Sequence, residues 1–250
     1  MIPRLAIATL LTCSLFAADV RADEPVATFS DPTSITNVYA PFEVGSVKVF
    51  HGRSEGKRTT TVIAHTEDTR AFDLDGTEVV CCILEEKEFT AGALVEVTTH
   101  YLAQDDAGNV RSFGEVSIEI EQGVVLGPEE DSWIVGGATL PTDPAEVYDA
   151  ETPQMFMPAD PQLGDVFKQE DFEHSTETLE VVQVGKKVKV PSGKYGWSLK
   201  LKETGDEEDD DDGDAEYRWV VPGIGGVKEK SGKSKTRLFD TSLLETEFDA

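Results

Sequence analysis

The feature that most constrains this chain is a strict alternation of polar and apolar side chains. Glu115, Ser117, Glu119 and Glu121 occupy every second position, with Val116, Ile118 and Ile120 between them. Successive strand residues point to opposite faces, so this spacing predicts a β-strand with one polar and one apolar face. Ala93, Val95, Val97 and Tyr101 alternate with Glu96, Thr98 and His100 in the same manner. Val79 to Leu84 is apolar at nearly every position, as in a strand covered on both sides. Val47, Val49, Val62, Val181, Val188, Val190, Trp197, Leu199, Trp219 and Val221 mark further β-type runs. No stretch sustains a long 3.6-residue period, so helices should be few and short.

Turn signals fall between the runs. Asp75-Gly76, Ala91-Gly92, Asp106-Ala107-Gly108-Asn109 and Gln122-Gly123 stand at hairpin intervals. They make 77–126 a meander of three to four antiparallel strands. Glycine and proline punctuate 127–164, which reads as a long connection, and such connections often act as covers. Strands resume from Asp165 to about Phe239. The fold class is mainly β: one domain over 37–250, an antiparallel sandwich or half-open barrel.

At the N-terminus, one arginine precedes an apolar run from Leu5 to Ala18, and Val20-Arg21-Ala22 follows. This is the pattern of an export signal cleaved after Ala22, spanning 1–22. The run is too short to span a bilayer comfortably. A rival reading, lipoprotein processing at Cys13, is weakened by Thr12, which stands where a small Gly or Ala is usual. Residues 23–36 are polar and read as a tether. Export places the mature chain in the periplasm or outside the cell. Cleavage removes Cys13 and leaves Cys81 and Cys82. Neighbours with Cα atoms ~3.8 Å apart on a strand form a poor disulfide, so they read as two small buried residues, with an intermolecular bridge or a strained vicinal disulfide as the alternatives.

The chain carries 49 acidic against 22 basic residues, a formal charge of −27. Nucleic-acid and anionic-membrane footprints need clustered lysine and arginine, so this balance argues against both. The densest acidic run falls in 205–216, between two predicted strands, as a hairpin loop. Set against a calcium loop, Glu208, Asp210, Asp212, Asp214 and Glu216 fall on the alternate ligand positions. The twelfth position is then Trp219, which cannot supply the closing carboxylate. The run is therefore either a solvated acidic turn or an unfinished calcium site, and calcium is the cofactor it would take. Asp73-Leu74-Asp75-Gly76-Thr77-Glu78 is a second, poorer oxygen-rich turn.

His51, His65, His100 and His174 show no spacing that brings two imidazoles together, and no nucleophile elbow is present. His100 shares the polar side of its strand and reads as solvated. Met155, Phe156 and Met157 either pack the long connection onto the sheet or line an apolar ligand cleft. Lys228, Lys230, Lys233, Lys235 and Arg237 read as an exposed strand pair guarded against edge association, or as a docking patch for an anionic envelope polymer.

Five ordered motifs remain: Asn37-Val38-Tyr39-Ala40-Pro41 with Gly45; Tyr101-Leu102-Ala103-Gln104-Asp105, Gly108-Asn109-Val110 and Phe113-Gly114-Glu115; Met157-Pro158-Ala159-Asp160-Pro161 with Gly164-Asp165; Val190-Pro191-Ser192-Gly193; and Pro222-Gly223-Ile224-Gly225-Gly226-Val227-Lys228. Together they resemble a group of uncharacterised exported bacterial β-rich proteins, over about 36–230. The sequence departs from that group at the acidic run. The resemblance implies an exported β domain and brings no activity. Three functions follow as expectations: a non-enzymatic domain binding a small apolar ligand or an envelope partner; a calcium-dependent structural or adhesion module; and a hydrolase with its site under 153–165. Produced in an exporting host, the mature chain should begin at Asp23, which its intact mass checks.

Overall fold

The computed structural model describes residues 26–54, 56–172, 175–205, 216–232 and 234–243. The leader and Glu208, Asp210, Asp212 and Asp214 lie outside them. Every regular element among the described residues is a strand, so the few helices expected are absent there. In chain order these are β1 (Val47–Ser54), β2 (Lys57–Leu74), β3 (Thr77–Thr90), β4 (Ala93–Gln104), β5 (Val110–Glu121), β6 (Val124–Pro128), β7 (Trp133–Val135), β8 (Tyr148–Ala150), β9 (Gln154–Met157), β10 (Val166–Phe172), β11 (Ser175–Gln183), β12 (Val188–Val190), β13 (Gly193–Tyr195), β14 (Leu199–Gly205), β15 (Glu216–Val221), β16 (Gly225–Ser231) and β17 (Ser234–Thr241).

Fifteen of them form one sheet in the order β10-β11-β14-β15-β16-β17-β1-β2-β3-β4-β5-β7-β8, with β6 and β9 also paired to β5. β12 and β13 form a separate hairpin. β7 and β8 run parallel, an exception to the antiparallel pattern. Strand twist curls a sheet of this width, and β10 comes round to lie against β9 and β8. Side chains bridge the gap: Trp133 Nε1 donates to Glu170 Oε1 at 3.3 Å, and Phe172 packs on the Trp133 and Tyr148 rings. Of the two architectures expected, the chain adopts the half-open barrel.

The meander turns where its glycines predicted. Asp75-Gly76, Ala91-Gly92 and Gln122-Gly123 hold both residues at positive φ, the hairpin geometry that matches strand twist. The 127–164 connection contains β7, β8 and β9. With β6 it gives β5 three successive partners: β9 at Val110–Ser112, β7 at Gly114–Glu115, and β6 from Ile118 onward. Residues 26–36, expected as a tether, are docked where described: Asp106 accepts from Thr28 and Ser30, and Phe29 meets Phe113 edge-on at 5.4 Å. Lys228, Lys230 and Lys235, expected to guard an edge, sit in mid-sheet, because β16 pairs with β15 and β17 pairs with β1.

The apolar faces of β2–β5 point out of the barrel. Phe72, Val79, Cys81, Phe113 and Val116 are buried there with Trp133, Ile134 and Ala150. The loop between β7 and β8 reaches across this face to β2. There both Arg70 Nη atoms donate to Asp143, at 2.8 and 2.9 Å, and the guanidinium lies over the Phe72 and Tyr101 rings. Against the pull of burial, N–H donors from Leu140 and Thr139, together with Arg70, hold the Asp143 carboxyl below its usual range. Cys81 and Cys82 are both buried and free. Burial raises both thiol pKa values, so neither is a ready nucleophile.

Gly114 lets β7 approach β5. A Cβ there would stand 2.9 Å from the Trp133 carbonyl oxygen and 3.2 Å from Ile134 Cα. Gly114→Ala should therefore lose about 1–3 kcal/mol, read as a lowered urea midpoint. Gly196→Ala, whose Cβ meets nothing within 4 Å, should stay within about 0.5 kcal/mol of the parent.

Candidate functional site

Residues 36–42 form a strap across one end of the barrel, and the sequence motifs converge on it. Gln104 Oε1 accepts from the Thr36 and Asn37 N–H groups at 2.8 and 2.9 Å. Asn37 Nδ2 donates to the Gly108 and Pro158 carbonyls at 3.1 and 2.9 Å, while its Oδ1 accepts from the Tyr39 N–H. Asn109 Oδ1 accepts from the Ala159 N–H, and Asp105 gathers Asn109 and Arg111. On the far side the Gly223 N–H donates to the Val38 carbonyl at 2.7 Å. These asparagine and aspartate side chains replace backbone partners that a strap outside the sheet lacks.

Beneath the strap lies a cavity of about 290 Å³ inside the barrel. One part of its wall is apolar: Tyr39, Phe42, Ile63, Leu102, Phe156 and Leu201. The other part is charged, and here the sequence expectation is corrected. The polar faces of β4 and β5 point inward, because the outer face is taken up by the apolar cover. His100 is not solvated: its side chain is 13% exposed and its Nδ1 stands 3.2 Å from Glu115 Oε2. Burial would lower the His100 pKa, but Glu115 outweighs it and the net shift is upward; Glu115 is held low in return.

Arg218, on β15, faces two glutamates, with Glu203 at 2.6 Å and Glu177 at 3.5 Å, and its Nη1 donates to Gln169. Burial lifts both carboxyls well above their usual range, and one guanidinium opposes the rise for two. Glu86 is pushed to about 7, first by burial and then by Glu229. Lys48 is lowered to about 8 by burial. Burial and the nearby Lys48 charge lower His65 to about 4; this neutral ring pairs with Ser46 Oγ at 2.6 Å and stacks on Phe42.

Phe156 and Met157 line the cavity, while Met155 is buried in the core on β9 opposite Arg111. Of the calcium residues proposed from sequence, Glu216 lies on β15, where it pairs with Glu203 in register, and the rest lie outside the described residues. Among the described residues no three His, Cys, Asp or Glu side chains are grouped to hold a metal. No helix among them is long and apolar enough to cross a membrane. Lys48, Glu86, Glu177 and Arg218 were missed from sequence. The signal for Lys48 was its place one residue from Val49 and two from Phe50, which shares its inward face.

No protein-family model matches the chain, and no curated protein matches it. Among solved structures it is similar to a candidate exported protein of YmcC-like fold from Bacteroides fragilis, at 16% identity and a TM-score of 0.44, covering 82% of this chain and 99% of that one. It is also similar to a candidate lipoprotein from Parabacteroides distasonis, at 10% identity and a TM-score of 0.31, with the same coverage.

A carboxyl whose pKa is raised on folding takes up protons relative to the unfolded chain. Its contribution is full below the unfolded value and falls as pH rises toward the folded one. The Glu86 contribution to stability should therefore fall between pH 4.5 and about 7, against a His65 contribution that rises between about pH 4 and 6.5. Glu86→Gln should flatten that fall by at most about 3 kcal/mol. Urea midpoints at the two ends of the window measure it.

Proposed function

We propose that this chain is a binding domain, with the cavity under the strap as its site and a small, partly apolar molecule as its ligand. The observation that carries the reading is the division of the cavity wall into an aromatic and aliphatic part and a charged part. Ligand sites are mostly apolar with a few polar groups that fix orientation. Its size, about 290 Å³, suits on the order of ten non-hydrogen atoms at ~30 Å³ each. Most of the charged lining is committed to internal pairs, which favours holding a molecule over transforming it. The leader read in residues 1–22 supports an exported location, where the ligand is met outside the cytoplasm.

Native mass spectrometry of the mature chain, purified from an exporting host without chelators, tests the reading. The expected result is a small organic adduct that leaves on denaturation. A bare chain under conditions that preserve the fold overturns it.

A further inference from the structure

Three residues in direct register define a row on the cavity wall. Lys48 on β1 pairs with Ile63 on β2, and Ile63 pairs with Glu86 on β3. Directly opposed residues point to the same face, and all three line the cavity. Neighbouring strands stand about 4.8 Å apart, so the two charged residues begin on the order of 10 Å from each other with Ile63 between them.

Neither charge is met at contact distance, although Lys48 feels the pull of Glu86 and Glu229 and Glu86 that of His100. Lys48 is 7% exposed. Neither Lys48 nor Glu86 takes a hydrogen bond or an ion pair among the described residues. Their neighbours do: Arg218 has Glu203 and Glu177, His100 has Glu115, Glu96 accepts from Thr98, and Glu229 accepts from Thr236. A buried ammonium and a half-buried carboxyl held short of direct contact each gain from a group of opposite kind placed between them. A ligand with one charged end would satisfy one and strand the other. Around the row stand Phe42, Leu84 and Phe156.

Building on the binding reading above, we propose that this row receives a free α-amino acid with an apolar side chain. Its carboxylate accepts from Lys48 Nζ, its ammonium donates to the Glu86 carboxylate, and its side chain lies over Ile63 toward Phe42 and Phe156. The two head groups of an α-amino acid sit on one carbon, so the ends of two long side chains bend toward the middle of the row to meet them.

Isothermal titration of the mature chain with four probes of matched shape tests this: L-leucine, isocaproate without the amine, isopentylamine without the carboxylate, and isohexanol without either charge. Leucine should bind about tenfold or more tightly than each single-headed analogue, the cost of leaving one buried group unpaired. Lys48→Met should bring leucine down to the level of isopentylamine, and Glu86→Gln down to that of isocaproate. Equal binding of all four probes overturns the row while leaving the cavity as a binding site. Preference for either single-headed analogue, or binding of none, overturns the row as well, and the native mass spectrum then decides the cavity by itself. If Lys48→Met fails to fold, the four-probe comparison on the unaltered chain is sufficient.

Discussion

The Arg70–Asp143 pair fastens the β7–β8 loop to β2, over the apolar cluster that covers the outward faces of β2–β5. By holding the β7–β8 loop across β2–β5, it gives the apolar sides of those strands a cover on the outside. A strand has two faces, so the polar sides are then committed to the interior. Breaking one partner of a buried pair leaves an uncompensated charge, a loss of about 3–5 kcal/mol in comparable cases. Here that charge would be stranded beneath the cover itself, against Phe72 and Tyr101.

A charged interior is workable only where its members answer one another. His100 and Glu115 do so across β4 and β5, and Arg218 serves Glu203 and Glu177 across β11, β14 and β15. Two carboxyls on one guanidinium leave an excess of acid, which burial turns into proton retention rather than ionisation. The apolar half of the wall, capped by Tyr39 and Phe42 from the strap, limits the water that could otherwise screen these charges. Affinity for protons and room for a guest thus come from the same arrangement of strands.

The strands themselves were legible. The Glu115–Glu121 alternation marked β5, and Asp75-Gly76, Ala91-Gly92 and Gln122-Gly123 marked hairpins because two consecutive positive φ angles leave few other choices. What period-two spacing cannot carry is which face is inside: Val116 and Glu115 alternate identically in a barrel packed either way. That depended on the cover supplied by β7, β8 and their loop, whose Asp143 meets Arg70 across 73 residues of sequence. The motifs read as turn formers were legible one at a time, and Asn37, Gln104, Asn109 and Pro158 gave no sign of meeting. Lys48 went unnoticed because one lysine among valines looks like an ordinary solvent-facing position.

The strap also sets an order of events. Residues 36–42 are among the first of the described chain to be synthesised, yet their anchors lie at Gln104, Gly108, Pro158 and Gly223. Contacts of such sequence separation form late, after the loops between them have been closed. A ribosome must add almost two hundred residues before the last anchor exists. Until then the N-terminal part of the barrel has no finished end. Completion of the C-terminal strands, rather than emergence of the N-terminal ones, is the event that shuts the molecule.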